Sequence, residues 1–216
     1  MYAPQHFQPD DDTLRELLAT AVVGQLVTAT SDGPLATMLP IAVDLDAGHV
    51  LAHMARVNPQ WQTPWLGEAL IIVQGDNAYV SPSWYASKAE HGRVVPTWNY
   101  AVLHISGELR VHDDQTWVRE TVRTLTHQHE QHRDQPWTVE NAPQEFLAGQ
   151  LRAIVGIELS ITRLAASVKM SQNKSAADHA GVVAGLLAEG DPGSAAVAGV
   201  MQRVGHRRNS SDSSRP

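Results

Sequence analysis

The 216-residue sequence contains no cysteine, which excludes disulfides, zinc–thiolate sites and thiol nucleophiles. It also lacks an excess of basic residues, since 16 Lys and Arg stand against 23 Asp and Glu, a formal net charge of −7. An acidic surface repels phosphate backbones, so the composition does not favour a broad nucleic-acid surface. No apolar run approaches the roughly 18 residues that a membrane-spanning helix needs. The opening MYAPQHFQPDDD does not resemble a secretory signal, so we expect a cytoplasmic protein without a membrane span.

Several catalytic motifs are also missing. The sequence has no GxGxxG or P-loop pattern, and no serine lies in a GxSxG nucleophile elbow, so a hydrolase is not favoured. The segment His129-Glu-Gln-His132 is one residue short of the zincin pattern HExxH, which puts its second histidine out of register. A solvated helix face explains this segment better than a metal site.

The hydrophobic pattern of the chain alternates along short segments separated by turn signals. Strands are predicted at 25–30, 35–44, 49–54, 70–74, 78–81, 98–111 and 154–161. Helices are predicted at 12–20, 116–132 and 143–151, a loop or short helix at 56–65, and a long functional loop at 83–96. About seven short strands with peripheral helices predict a small, mostly antiparallel barrel of the α+β class.

The character of the sequence changes after Ser171. Ser175 to Asp178 fit a capping box that opens a helix, and a further helix is predicted at 194–204. We therefore predict a barrel domain at 1–170, a helical extension at 171–204 and a disordered tail at 205–216. The two helices do not suggest a helix-turn-helix, because the second is mostly small and apolar and lacks base-reading side chains.

Four segments combine aromatic or amide side chains with hydroxyls or cations, as a site for a planar, hydrogen-bonding ligand would. They are HMARVNPQW at 53–61, SPSWY at 81–85 with Lys88, VPTWNY at 95–100 and KMSQNK at 169–174. In the first, Arg56 supplies the charged donor that a phosphate needs, and Asn58 before Pro59 suits a helix cap. Each segment alone is more often a turn, or a surface ion pair in the case of Arg56.

In this order and spacing, the four segments closely resemble the PaiB family of FMN-binding negative transcriptional regulators. The resemblance runs from Met1 to about Leu187 and includes YxPxHF at 2–7, GPLAT at 33–37, LP at 39–40, 75–85, IVGIE at 154–158 and SQNK at 171–174. It implies the FMN-binding split β-barrel also seen in pyridoxamine-phosphate-oxidase-like proteins. Such proteins are usually homodimers with the flavin at the subunit interface.

Carried over to this sequence, the family pattern implies roles for twelve residues. The flavin phosphate would lie near Arg56, assisted by Asn58 and His53. Thr37 and Met54 would lie on strands against the isoalloxazine, and Gln74 would hydrogen-bond the ring. Trp98 and Asn99 would close the site from the partner subunit. The further candidates are Lys88, Lys169, Gln172 and Asn173.

Three functions follow from the resemblance. The first is a flavin-dependent negative regulator that contacts operator DNA, for which Arg203, Arg207 and Arg208 are the visible donors. The second is a small FMN-dependent oxidoreductase, in which the flavin carries the redox chemistry. The third is haem binding or degradation, since related split barrels include haem-degrading proteins and the chain has 11 histidines.

Overall fold

The computed structural model describes residues 1–212, with side chains placed through Val204. Over this range, six strands form a closed barrel in the order β1-β2-β3-β6-β5-β4. The strands are β1 (Val23–Thr30), β2 (Gly33–Asp44), β3 (His49–Ala55), β4 (Ala69–Val80), β5 (Thr97–His112) and β6 (Ile154–Lys169). The predicted α+β barrel, mostly antiparallel, is confirmed.

Helices and short 3₁₀ turns connect the strands and follow them. The helices are α1 (Asp11–Ala19), α2 (Ser87–His91), α3 (Gln115–Glu130), α4 (Gln144–Arg152), α5 (Ala176–Ala188) and α6 (Pro192–Asp212). The 3₁₀ turns are Gln5–Phe7, Pro59–Trp61, Pro82–Trp84 and Val139–Asn141. The Ser175 side chain accepts a hydrogen bond from the Asp178 amide at the start of α5, as the predicted cap requires.

Between residues 69 and 96, the predictions differ from the structure in two places. The chain from Ala69 to Val80 is one strand rather than two, because residues 75–77, which separate the two predicted strands, are themselves in strand conformation. A Cβ on Gly75 would lie 3.1 Å from the Ala101 Cβ, so glycine allows close approach to β5 here. The predicted loop at 83–96 is also wrong in part, since it contains part of a 3₁₀ turn and helix α2.

One compact unit, here called the major unit, comprises residues 15–73 and 103–165. Strands β1 and β2 pair along their whole facing length, from Val23 opposite Pro40 to Thr30 opposite Gly33. The core of this unit includes the fully buried side chains of Leu26, Ile41, Met54, Ile71, Leu103 and Ile157. Helices α3 and α4 add an apolar cluster of Val118, Val139, Leu147 and Leu151.

A second compact unit, the minor unit, comprises residues 1–14, 74–102 and the chain from 166 onwards. Its helices α5 and α6 pack on each other with Val182, Leu186, Val197 and Met201 buried. The predicted domain boundary at 170 falls inside this unit.

Helix α6 is longer than the helix predicted at 194–204. Helix α6 takes in residues as far as Asp212, and so overlaps the tail predicted to be disordered at 205–216. Residues 213–216 lie outside the described part of the chain. Within the described residues, no helix is long and apolar enough to cross a bilayer.

Candidate flavin site

Arg56 lies directly after β3 in the major unit and is held by three acceptors. Its Nη2 atom donates to Asp113 Oδ1 at 2.5 Å and to the Ile154 carbonyl at 3.1 Å, and Nε donates to the Arg152 carbonyl at 2.8 Å. The hydrogen bond from Arg56 lowers the pKa of the Asp113 carboxyl. These contacts fix the guanidinium at one position, and they use its Nε and Nη2 nitrogens but not Nη1.

The segment after Arg56 folds back on it. The Trp61 indole Nε1 donates to the Arg56 carbonyl at 2.9 Å, and the guanidinium lies 5.9 Å from the Trp61 ring centroid. The aromatic ring and the carbonyl contact together keep the arginine beside the end of β3.

Thr37 and Asn58 are brought together by a buried glutamine that the sequence analysis did not identify. Asn58 Nδ2 donates to Thr37 Oγ1 at 3.0 Å, and Thr37 Oγ1 donates to Gln60 Oε1 at 2.5 Å. Asn58 Oδ1 also accepts from the Gln60 amide at 2.9 Å, which caps the 3₁₀ turn Pro59–Trp61. Gln60 Nε2 donates in turn to Thr28 Oγ1 at 3.0 Å. The Asn-Pro-Gln sequence signals the turn, but nothing local signals that Gln60 is buried.

His53 and Met54 are neighbours on β3 and point to opposite faces, as strand geometry requires. Met54 is fully buried in the core of the major unit. His53 is half-buried, and its Nδ1 atom is shielded from solvent without a hydrogen-bond partner in the described structure. Burial lowers the pKa of His53, so the imidazole is neutral at pH 7. An unpaired buried ring nitrogen needs a hydrogen-bond partner that the described residues do not supply.

Trp98 and Asn99 also lie on opposite faces of their strand, β5, in the minor unit. The Trp98 side chain is 53% exposed and meets the Tyr79 ring edge-to-face at 6.0 Å. Asn99 is fully buried, where its Nδ2 donates to Met201 Sδ at 3.3 Å and its Oδ1 accepts from Ser171 Oγ at 3.1 Å. Only Trp98 of the pair therefore faces a ligand approaching from outside.

Lys169 ends β6, where its Nζ lies 2.5 Å from Thr97 Oγ1 and 5.9 Å from the Tyr100 ring centroid. Burial lowers the pKa of Lys169, and the charge of Lys174 adds to that effect. Gln172 folds back on its own backbone, accepting from the Met170 amide at 2.6 Å and donating to the Val168 carbonyl.

The remaining predicted residues of the minor unit are exposed. Gln74 lies on β4, and Asn173 lies in the turn before α5. Lys88 lies on α2, where its Nζ donates to Ser83 Oγ at 3.1 Å. The twelve predicted residues thus divide between the two units, with Thr37, His53, Met54, Arg56 and Asn58 in the major one.

A further polar cluster of the major unit escaped the sequence analysis. His112 Nε2 lies 2.6 Å from Glu158 Oε2, and His49 Nδ1 lies 3.9 Å from Glu158 Oε1. The His112 ring stacks on Trp117 with centroids 3.9 Å apart. Among the residues that the structure describes, no group of three or more His, Asp and Glu side chains could hold a metal ion.

Comparison with known proteins shows the family of the chain. A family model described as "Putative FMN-binding domain" matches residues 1–163 of the chain. The chain belongs to this FMN-binding family. The match confirms the resemblance that the sequence segments indicated.

Relatives of the chain cover most of its length. It is 29% identical over 206 residues to protease synthase and sporulation protein PAI 2 of Bacillus subtilis, covering 94% of this chain and 97% of that protein. It is 28% identical over 243 residues to an uncharacterized protein of Emericella nidulans, again covering 94% and 97%.

Two solved structures share the fold. A conserved hypothetical protein from Mycobacterium tuberculosis superimposes with a TM-score of 0.56 at 10% identity, covering 81% of this chain and 94% of that one. The FAD and heme binding protein from Mycobacterium smegmatis gives a TM-score of 0.53 at 14% identity, covering 74% and 71%. Identities this low show the fold alone, and they agree with the predicted split barrel.

Proposed function

We propose that this protein binds FMN and that the flavoprotein is a negative regulator of transcription. The observation that carries FMN binding is the buried Nδ1 atom of His53, which has no hydrogen-bond partner among the described residues. A buried polar atom of this kind calls for a partner, and the description of the family as a putative FMN-binding domain supports a flavin in that role.

The residues of the major unit fit a flavin mononucleotide. His53 would hydrogen-bond a polar group of the flavin, and Arg56 would hold the phosphate through its Nη1 amine while Nη2 stays on Asp113. When bound, FMN supplies one- and two-electron redox chemistry and visible absorption, whereas the protein supplies binding and orientation. The side chains of Thr37 and Asn58 are hydrogen-bonded to each other, and Thr37 is bonded to Gln60. They would therefore hold the segment after Arg56 in position rather than contact the flavin.

The neighbouring carboxylate makes a sharp test of the phosphate assignment. Asp113 competes with a phosphate for the Arg56 guanidinium, so Asp113→Asn is expected to tighten FMN binding and Arg56→Ala to weaken it. Loss of one charge-assisted contact predicts a change of about tenfold in Kd in each direction. FMN titrated into the purified protein and followed by its absorption spectrum gives both values.

Arg123→Ala is the matched control, because Arg123 lies in the same unit and pairs with two carboxylates, Glu120 and Glu140. Its Kd for FMN should equal that of the wild type. If the absorption spectrum of FMN does not change when the protein is added, FMN binding is contradicted. If Arg56→Ala and Arg123→Ala have the same Kd for FMN, Arg56 does not bind the phosphate.

The regulatory role rests on the relationship to PAI 2, whose name associates it with protease synthesis and sporulation. With a net charge of −7, any contact with DNA must be a local patch rather than a broad surface. A gel-shift titration with promoter DNA from its own operon, at low salt and with or without FMN, tests direct repression. Absence of a shift under all these conditions would contradict it.

A homodimer is part of the same proposal, and the outer face of the barrel supports it. On strands β2, β1 and β4, the register sets Gln25 between Met38 and Ile72, and Val27 between Ala36 and Leu70. Of these six side chains only that of Gln25 is polar, and the Met38 side chain is 66% exposed. An exposed and largely apolar face of a sheet indicates an interaction surface.

A further inference from the structure

A cavity of about 370 Å³ lies in the major unit, between helix α3 and the chain segment 136–140. The side chains of Arg123, His127 and Glu130 line it from the helix. Its volume falls within the range of small-molecule sites, about 300–1,000 Å³. The described residues that line it include none of the twelve flavin candidates, so it is a separate place on the molecule.

The cavity forms where this segment crosses the polar face of α3. Four lining residues of the helix, spaced i, i+3, i+4 and i+7, share that face: Arg123, Thr126, His127 and Glu130. The segment is tied to the helix at two points, since the Trp137 amide donates to Glu130 Oε2 at 3.1 Å and Arg123 Nε donates to Glu140 Oε1 at 2.7 Å. Because both ties run through long side chains, the segment stands away from the helix and leaves the cavity between them.

The Trp137 ring supplies an aromatic wall to the cavity, and 46% of this residue is exposed. Within residues 1–204, whose side chains the structure describes, its indole Nε1 has no hydrogen-bond partner and its ring stacks on no other aromatic group. Val139 also lines the cavity and belongs to the buried apolar cluster of α3 and α4. An open aromatic ring next to an apolar side chain offers a contact surface that the protein core does not use.

The lining of the cavity carries an excess of negative charge. Its ionised groups are the carboxylates of Glu130 and Glu140 and the guanidinium of Arg123, so one negative charge is left over when histidine is counted as neutral. The hydrogen bond from Arg123 lowers the pKa of the Glu140 carboxyl, which is therefore ionised at pH 7. Outside the lining, Arg133 pairs with Glu130. Glu120 pairs with Arg123, and these two outer charges cancel. The cavity therefore attracts a cation and repels an anion.

We propose that this cavity binds an organic cation that carries an aromatic ring, with the cationic group over the Trp137 ring and near the carboxylates of Glu130 and Glu140. Tryptophan is the aromatic side chain that attracts cations most strongly through its ring face. The aromatic part of the ligand would lie against Val139 and the remaining apolar lining. A phosphate-bearing ligand is disfavoured by the same charge, so this site is independent of flavin binding.

The test uses three probes that share a benzyl group and differ in charge: benzyltrimethylammonium, benzyl alcohol and phenylacetate. Their dissociation constants for the purified full-length protein are measured by ligand-observed NMR titration at pH 7.5. The cation is expected to bind with a Kd of about 1 mM, the alcohol more weakly and phenylacetate more weakly still. The absence of saturable binding of benzyltrimethylammonium, or equal Kd values for the cation and phenylacetate, would overturn the inference.

Two substitutions of the ring test the assignment of Trp137. Trp137→Leu is expected to raise the Kd of benzyltrimethylammonium by about tenfold, and Trp137→Phe by less, because phenylalanine keeps an aromatic face. Phe146→Leu is the matched control, since Phe146 is exposed on α4 and is not part of the lining. Each variant is first checked for an unchanged melting temperature. A Kd in Trp137→Leu equal to that of the wild type would overturn the inference.

Two charge substitutions should change the affinity in opposite directions. Glu140→Gln removes a negative charge from the lining and is expected to weaken binding of the cation about threefold to tenfold, whereas Arg123→Ala removes the positive charge and is expected to tighten it by a similar factor. A merely structural role of the Arg123–Glu140 pair would weaken binding in both variants, and that result would overturn the inference. Glu145→Gln, at an exposed position of α4, is the control and should leave the Kd unchanged.

The outcome is separable from that of the flavin proposal. Trp137→Leu and Glu140→Gln should leave the Kd for FMN at the wild-type value, because both residues lie outside the proposed flavin site. Binding of the cation is expected whether or not the protein binds FMN. A parallel loss of both ligands in Trp137→Leu would show a general disturbance of the fold, and it would overturn a separate cation site.

Discussion

Two buried polar atoms have no hydrogen-bond partner in the described residues, His53 Nδ1 and Tyr85 Oη. Leaving a buried polar group unpaired costs about 1–3 kcal/mol, so each needs a physical account. The two sites differ in surroundings. His53 is half-buried, whereas Tyr85 is only 3% exposed. The proposed flavin would account for the first, and the second is a cost to the fold.

Tyr85→Phe should therefore stabilise the protein, because it removes an unpaired hydroxyl and keeps the ring under Lys174. We expect the free energy of unfolding to rise by about 1 kcal/mol, measured by urea denaturation. Tyr2→Phe, at an exposed position, is the control and should change little. A loss of stability in Tyr85→Phe would show that the hydroxyl has a partner, such as a bound water.

The free energy of unfolding should decrease as the pH is lowered, because of His53. Burial lowers its pKa in the folded state below the ordinary value of 6.5, so the unfolded chain takes up the proton first. The contribution of a neutral His53 is complete above that value and is lost as pH falls below it.

His53→Gln should reduce the difference in unfolding free energy between pH 7.5 and pH 5.5, since glutamine does not titrate. His132→Gln, on an exposed residue after α3, is the control and should leave the difference unchanged. Equal pH dependence in the wild type and His53→Gln would contradict the assignment of a neutral, buried imidazole.

At the scale of elements, helix α5 is seated by two glycines one turn apart. A Cβ on Gly181 would lie 2.1 Å from the Trp84 carbonyl oxygen, and one on Gly185 would lie 2.3 Å from the Trp84 ring. Real Cβ atoms do not approach so closely, so both positions require glycine while Trp84 stays in place. The helix and the 3₁₀ turn Pro82–Trp84 are thus in direct contact within the minor unit.

Gly185→Ala should lower the free energy of unfolding, because the clash with Trp84 outweighs the better helix propensity of alanine. Overpacking costs about 1–3 kcal/mol, while alanine gains up to about 1 kcal/mol over glycine in a helix. Gly149→Ala in α4 is the control, since its Cβ would meet only Arg152 Nη2 at 3.9 Å. That variant should gain stability in the same denaturant titration, and a gain for Gly185→Ala would contradict the close contact.

Most strands could be predicted from alternation alone, and the misses have local causes. Strand β6 runs to Lys169. The prediction ended at Ile161 because the alternation of apolar and polar residues stops there. Thr162 and Arg163 are both exposed, and Ala166 to Val168 are all buried. A strand whose neighbours change along its length has no period of two, so its second half is invisible in the sequence.

The candidate site could be predicted less well than the fold. The sequence located Arg56 at the end of β3, but its partner Asp113 is 57 residues away and no local pattern joins them. The same holds for Lys169 and Thr97, which are 72 residues apart. Motifs indicate which residue types carry the chemistry, whereas the tertiary structure decides which of them are already engaged by protein partners.

At the scale of the whole molecule, the proposed dimer depends on the apolar face of β2, β1 and β4. Stable interfaces bury about 1,200–2,000 Å² in total, and a three-stranded face with its borders can supply an area of that order. Met38 is the most exposed large side chain on the face, so a charge there would be buried on association. An unpaired buried charge costs several kcal/mol, which is enough to dissociate an ordinary dimer.

Met38→Glu is therefore expected to shift the protein from dimer to monomer, raising the dimer Kd by about a hundredfold or more in sedimentation equilibrium. Phe146→Glu is the matched control, because Phe146 is 59% exposed and belongs to helix α4 rather than to strands β2, β1 or β4. It should sediment like the wild type. If the wild type is a dimer and Met38→Glu remains one, another surface forms the interface. If the wild type is a monomer at micromolar concentration with FMN bound, the flavin site is complete within one chain.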